Sequence, residues 1–281
     1  MAIRTDLALE AKTLWEQSAG QTTRLHGVRA RERSAQGFSV TEVEILDAQG
    51  EEALGKPRGT YVTVELSPQA SDPRPAAEAV ALELRRLTAL GPQDRVLVAG
   101  LGNTAVTPDA LGPKTVAGLF LTRHLIAHLP EYFGTCRSVS AVAPGVLATT
   151  GVESIEIVRG ACAHVRPDCI ICIDALAAAA PERLCNTVQM SDTGIVPGSG
   201  VGNARAAFRR ETLGVPVYSL GVPTVVDAAA FAGQRGGTMI VTPRDIDARI
   251  RFLSAVLSGA LNRTLHPDLT EEDFAQFVLP G

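Results

Sequence analysis

Apolar positions along this chain follow two patterns, and the change between them comes near residue 92. Before it, "FSVTEVEIL" (38–46) and "YVTVEL" (61–66) are rich in β-branched residues and partly alternate apolar with polar. Such alternation predicts strands of a sheet with one exposed face. "PAAEAVALELRRLTAL" (75–90) then places apolar residues three and four apart among good helix formers, and Gly91-Pro92 stops it. Beyond that point short apolar runs alternate with helical patterns. "RVLVAG" (95–100), "SVSAVA" (138–143), "CIICID" (169–174), "VPVYSLGV" (215–222) and "TMIVT" (238–242) read as strands. Residues 115–129 and 153–165 read as helices, and Thr242-Pro243 opens a long amphipathic helix to about Asn262. The alanines after Asp174 read as ordinary helix formers, and the stretch after His266 is polar.

This order predicts an α/β fold with a mostly parallel sheet and helices on both faces. A small N-terminal β-containing subregion, about residues 36–70, is appended to it. At 281 residues the chain is long enough for one large core. Composition changes this picture little: 46% of residues are apolar and aromatics are few. The formal charge of −4, with no basic block, leaves no footprint for nucleic acid. Arg29, Arg31 and Arg33 read as a solvated face. No stretch reaches the roughly 20 apolar residues of a membrane span, and no secretory signal is visible, so a cytoplasmic protein is expected. Five cysteines, an odd number, fit that compartment. Cys169-x-x-Cys172 lies in a strand-like run without a second pair, so buried reduced thiols are expected rather than zinc.

Ligands of open α/β sheets bind outside the carboxyl ends of the strands, and three loops stand out there. "GLGNTAVTPDALGP" (100–113) follows a strand and carries Gly102, Asn103 and Asp109. Asp109 precedes a helix start, where capping is the plain reading of a carboxylate. Asp174 ends an apolar run, where it either caps the next segment or does chemistry. The third loop, "SDTGIVPGSGVGN" (191–203), carries Gly198, Ser199, Gly200 and Asn203. Dinucleotide, phosphate-loop and Gly-x-Ser-x-Gly motifs are all absent from these loops. Asp192-Thr193-Gly194 resembles the aspartic-protease signature, but that signature belongs to β-rich bilobed folds. His124 and His128 lack the intervening glutamate of a zinc helix, and surface or packing roles are expected for the histidines. Two aspartates at one sheet edge are more specific together than apart: neighbouring carboxylates do not both ionise easily, which supplies one base and one acid.

An ordered series of stretches carries a family resemblance. It runs through "RTDLALEAK" (4–12), "GLGNTAVTPDALGP" (100–113), "PGVLATTGVES" (144–154), "IDALAA" (173–178) and "SDTGIVPGSGVGNAR" (191–205). It continues through "ETLGVPVYSLGVPTVVDA" (211–228) and "MIVTPRDID" (239–247). The chain resembles the germination proteases of spore-forming bacteria, an atypical aspartic-type endopeptidase family. That resemblance implies digestion of small acid-soluble spore proteins in the germinating spore, with Asp109 and Asp174 as the catalytic aspartates. It implies a fold similar to hydrogenase maturation peptidases, whose metal site keeps a metal-assisted alternative near Asp109 and Asp174. No cofactor is otherwise expected. A tetrameric zymogen that removes its own N-terminus is implied, with cleavage after an acidic residue and before a hydrophobic one followed by Ala.

Asp6-Leu7-Ala8 fits that preference, so self-cleavage between Asp6 and Leu7 is expected, with 1–6 as a short propeptide and 7–281 as the peptidase domain. A large inhibitory prosegment is not expected. The plain alternative for this stretch is a helix N-terminus capped by Thr5 or Asp6. Gly102, Asn103, Gly198, Ser199, Gly200 and Asn203 are candidate oxyanion or substrate-loop residues. Two departures from the family stand out: Ala179-Ala180 replaces the usual Arg-Ser, and only residues 229–238 stand where a long insertion is common. A reading from another class is a non-catalytic α/β protein whose Gly-rich loops hold a small anion.

Overall fold

A computed structural model describes residues 5–19, 25–67, 70–202, 205–231 and 239–277. In chain order the first third comprises α1 (Ala8–Ala19), β1 (Val28–Ala35), β2 (Phe38–Ile45), α2 (Ala48–Leu54), β3 (Gly59–Glu65) and α3 (Arg74–Thr88). There follow β4 (Val96–Gly100), α4 (Leu111–Ala117), α5 (Arg123–His128), α6 (Pro130–Phe133), β5 (Val139–Val142), α7 (Leu147–Thr150) and α8 (Ser154–Val165). The last third holds β6 (Cys169–Ala178), β7 (Thr187–Ser191), α9 (Arg210–Leu213), β8 (Val217–Asp227), β9 (Ile240–Val241), α10 (Ile246–Leu265) and α11 (Glu271–Phe277).

The strands form one continuous sheet in the order β1-β2-β3-β7-β8-β6-β4-β5, with β9 added to the far end of β8. Pairings β4–β5, β4–β6 and β6–β8 are parallel, whereas β1–β2, β2–β3, β3–β7 and β7–β8 are antiparallel. The sheet is therefore mixed, and the N-terminal strands are its antiparallel half rather than a separate appendage. Strand β7 makes that continuity. Its own stretch carries no clear strand pattern, and its pairing with β3 and β8 is long-range.

Alternation along the central strands sorts side chains onto two faces. Val96, Val98, Ile171, Ile173, Leu220 and Val222 pack under α3 and α10. Leu97, Ala99, Ile170, Cys172 and Val217 face Ile155 and Val158 of α8. Cys169 and Cys172 thus point to opposite faces, and all five thiols are free. On that second face, α1 covers the antiparallel half, with Ala8 packed on Val43, Ile45 and Tyr61.

Several local expectations change in three dimensions. The alanines after Asp174 are strand, not helix: β6 runs on to Ala178, and Asp174 sits in its middle, paired with Gly221. The helix expected over 115–129 breaks at Gly118. Thr122 N donates to the Val139 carbonyl (3.1 Å), and Phe120 N donates to Asn262 Oδ1 (2.9 Å). Those bonds tie 119–122 to β5 and α10 instead of a helical ladder. The long C-terminal helix starts at Ile246, because Thr242 Oγ1 is held by the Thr224 carbonyl (2.8 Å). Arg29 pairs with Glu44 at the surface as a solvated face would, but Arg33 crosses to Glu83 of α3, which is 1% exposed. Beyond His266, α11 docks Phe274 against Phe120.

Candidate active site

Asp109 closes a one-turn helix, Thr107–Asp109, in the loop after β4, and Asp174 rises from the middle of β6. The loop can reach back because its glycines leave room. A Cβ on Gly102 (φ +119°) would lie 1.9 Å from the Asp109 carbonyl oxygen. A Cβ on Gly112 would lie 2.2 Å from that of Leu101. Gly221 plays the same part beside Asp174, whose carbonyl oxygen a Cβ would meet at 2.8 Å.

Both aspartates line one cleft of about 450 Å³, together with Asp6, Gly102 and Gly198. Its rim is apolar: Val106, Leu147 and Ile240 are exposed there. Thr224 Oγ1 also faces it, buried and without a protein partner. A second cavity of about 180 Å³ shares Asp6, Asp174, Leu176 and Gly198 with the first.

The electrostatics separate the two carboxylates. Burial pushes Asp109 up to about 6, with the Asn103 backbone pulling the other way. Asp174 is 5% exposed and is raised well above the usual carboxylate range, by burial first and then by the charges of Asp109 and Asp6. Only the Ala175 N–H, donating to Asp174 Oδ1 (2.9 Å), opposes that rise. Near neutral pH this arrangement presents one ionised and one protonated carboxyl group, the pairing that general base and general acid need.

The N-terminal segment lies against this site. Asp6 N donates to the Ala177 carbonyl (2.9 Å), and Ala177 N donates to Asp6 Oδ2 (2.8 Å). Ser199 Oγ donates to Asp6 Oδ1 (2.8 Å). Leu7 is fully buried among Leu176, Ala178 and Ile195. Ala8 N donates to Gln189 Oε1 (2.7 Å), and Gln189 Nε2 donates to the Asp6 carbonyl (2.9 Å). Glu10 accepts from the amides of Ala179 (2.7 Å) and Ala180 (2.9 Å) and from Thr5 Oγ1. The small side chains of β6 allow this close approach.

The structure thus brings Asp109, Asp174, Gly102, Gly198, Ser199 and Asp6 together. Gly200 abuts Asp6, since its Cβ would fall 2.2 Å from Asp6 Oδ2. Asn103 does not line the cleft: its N–H donates to the Asp109 carbonyl (3.1 Å), and its Oδ1 accepts from Ala105 N (3.0 Å). Its role is to close the turn. Asn203 lies outside the described residues. Gln189, Lys56 and the Ala177 amide join the site without any sequence signal, since a lone Gln or Lys and a backbone N–H carry none. Among the described residues no three His, Cys, Asp or Glu side chains gather as a metal site, and neither cavity is lined by His or Cys. The carboxylates that line the cleft are Asp6, Asp109, Asp174 and Glu153, and no chemical step is routed through a metal.

Comparison with known proteins agrees with the ordered motifs. The family profile described as germination protease matches residues 8–235. The germination protease of Priestia megaterium (strain ATCC 12872 / QMB1551) is 46% identical, over 99% of this chain and 97% of its own. That of Caldanaerobacter subterraneus subsp. tengcongensis is 40% identical, over 99% and 98%. Among solved structures, the NiFe hydrogenase maturation protease HycI from Thermococcus kodakarensis KOD1 is similar at TM-score 0.36 and 18% identity. That match covers 64% of this chain and 98% of the other. By its profile match and by full-length identity to these relatives, the chain belongs to the germination protease family.

Proposed function

We propose that this chain is an endopeptidase that digests small acid-soluble spore proteins at germination, using Asp109 and Asp174 to activate water. Its cuts fall after Asp or Glu, before a hydrophobic residue followed by Ala, and it processes itself between Asp6 and Leu7. On this reading residues 1–6 are the propeptide, the enzyme works in the spore core, and the family's tetramer is its assembly. The observation that carries the proposal is the seat of Asp6-Leu7-Ala8: the acidic and the hydrophobic residue lie against β6 and the small one against Gln189 of β7, with Asp6 lining the same cleft as the two aspartates.

In the mechanism, ionised Asp109 takes a proton from a water molecule as its oxygen attacks the scissile carbonyl carbon. Protonated Asp174 gives its proton to the leaving amide nitrogen. Backbone N–H groups of the Gly102 and Gly198 turns are the candidates for stabilising the oxyanion. The apolar rim of Val106, Leu147 and Ile240 suits the hydrophobic positions of a peptide.

The test is to incubate the purified protein with a small acid-soluble spore protein and map the cuts by mass spectrometry. Wild-type protein is expected to start at Leu7 and to cut after acidic residues. Asp109→Asn and Asp174→Asn are expected to retain their first six residues and leave the substrate intact. Cutting by either variant at wild-type rate sinks the assignment.

A further inference from the structure

The smaller cavity holds two cations that the mechanism does not use. Lys56 comes directly after the α2 cap residue Gly55 (φ +63°), and its Nζ donates to the Thr5 carbonyl (3.2 Å). Arg209 lines the same cavity, and its Nε is buried with no hydrogen-bond partner among the described residues. The acidic residues of the lining are Asp6, which belongs to the N-terminal segment, and Asp174. Removal of residues 1–6 takes away the Asp6 carboxylate and leaves Lys56 and Arg209 facing a cavity whose remaining acid, Asp174, holds its proton.

We propose that this cavity is the subsite for the acidic side chain preceding the scissile bond, and that Lys56 and Arg209 select a carboxylate there. The inference rests on the endopeptidase reading above. Asp6 shows where the acid sits: it shares the cavity with Lys56 and Arg209 and, among the described residues, forms an ion pair with neither, so the cations act on it through their field. Its carboxylate is held by Ser199 Oγ and the Ala177 amide, both neutral donors that an amide side chain also satisfies in part. Those two contacts orient the side chain, but they discriminate poorly between Asp and Asn. Charge discrimination falls to the cations. Lys56 grips the carbonyl of the residue before the acid and senses the acid's charge at once: burial pulls its pKa down, and the Asp6 and Glu10 carboxylates push it back up. Arg209 stays charged in any environment and supplies the field that persists if Lys56 loses its proton. Arg209 is delivered by the turn entering α9, and Lys56 by the turn leaving α2. The subsite is therefore built from both halves of the sheet, and its two cations are 153 positions apart (209 − 56).

A double-mutant cycle in the full chain tests this, in an Asp174→Asn background that removes cutting. Release of residues 5–10 is read by hydrogen exchange at the Ala177, Ala179 and Ala180 amides. Asp6→Asn is expected to speed exchange at least tenfold, as is Lys56→Met or Arg209→Met. Each cation variant combined with Asp6→Asn is expected to add little further, because the charge on which the cations act is already gone. Fully multiplicative effects overturn the subsite. Amides of β4 and α10, read in the same experiment, report whether each variant keeps its fold.

A second arm needs no variant. Wild-type protein, after loss of residues 1–6, is given the peptide Thr-Asp-Leu-Ala-Leu-Glu extended at both ends, and its Asn counterpart. At least a tenfold preference in kcat/KM for the Asp peptide is expected, and equal cutting of both overturns the proposal. Cutting of neither peptide defeats the endopeptidase reading, and the exchange cycle then still decides whether the cavity selects a carboxylate.

Discussion

Two carboxylates in this protein are almost equally removed from water, and they lead opposite lives. Glu83, on α3 beneath the antiparallel half, is 1% exposed and meets two guanidinium groups. Arg33 donates to it bidentately, through Nη1 (2.7 Å) and Nη2, and Arg86 Nη1 reaches Oε1 at 3.3 Å. Asp174, on β6 in the parallel half, is 5% exposed and has no ion pair among the described residues, while Asp109 and Asp6 press negative charge on it. Burial with a cation makes a structural tie; burial without one makes a proton donor. The difference also divides the molecule. The antiparallel half holds the paired carboxylate, and the parallel half holds the candidate site.

The sharpest break of this contrast is to neutralise each carboxylate isosterically. Asp174→Asn is expected to lower cleavage at least a thousandfold while leaving the urea midpoint equal to wild type or higher, since a group held protonated loses little by becoming an amide. Glu83→Gln is expected to do the reverse. Stability should drop by about 2–3 kcal/mol, below the range for fully buried pairs because Arg33 and Arg86 are partly exposed. Activity per folded molecule should be unchanged. Urea denaturation with a peptide assay on the same samples checks both, and loss of activity in Glu83→Gln would erase the distinction.

Asp109 gives a smaller, pH-dependent effect. Its folded pKa, about 6, is above the unfolded value of 3.8, so the folded state binds the proton more tightly. The stabilisation from that proton is complete below about pH 4 and is lost as pH rises through 6. For a half-buried group this amounts to about 1–2 kcal/mol. Asp109→Asn is expected to remove that slope and to be more stable than wild type at pH 7. In wild-type protein, kcat/KM is expected to rise with pH through about 6 as Asp109 ionises. A flat profile between pH 5 and 7 would take the base role from Asp109.

The least change is expected from chelators. Activity in excess EDTA should equal that in its absence; loss of activity that Zn²⁺, Ni²⁺ or Mn²⁺ restores would revive the metal alternative and recast both aspartates as ligands.

Much of this organisation is written locally in the chain. Partial alternation marks β2 and β3, three-to-four spacing marks α3 and α8, and short apolar runs mark β4 and β5; β3 is buried on both faces rather than one, since Tyr61 packs under α1 while Val62 and Val64 pack under α3 and α10. The Gly-rich turn before Asp109 is legible too, since a backbone passing within 2 Å of where a Cβ would stand admits only glycine. The rest depends on partners distant in sequence. Ala175–Ala178 carry helix propensity, yet they are strand because β8 pairs with them along one edge and residues 5–10 dock against them. Strand β1, "VRARERSA", has the charge of a solvated loop. It is strand because β2 supplies the ladder, and its Arg33 finds Glu83, 50 positions away. Asp174 was visible as a carboxylate where water should be scarce. Its proton is held first by burial and then by the charges of Asp109, 65 positions before it, and Asp6, 168 before it. The sequence by itself determined many of the elements and the family, and it marked two aspartates as candidates, because periodicity, turn chemistry and motif order are local. Only the tertiary structure decided which carboxylate is paired, which holds a proton, and which basic side chains share a cavity with Asp6, because electrostatic energy depends on distance and burial, and neither is a property of position in the chain.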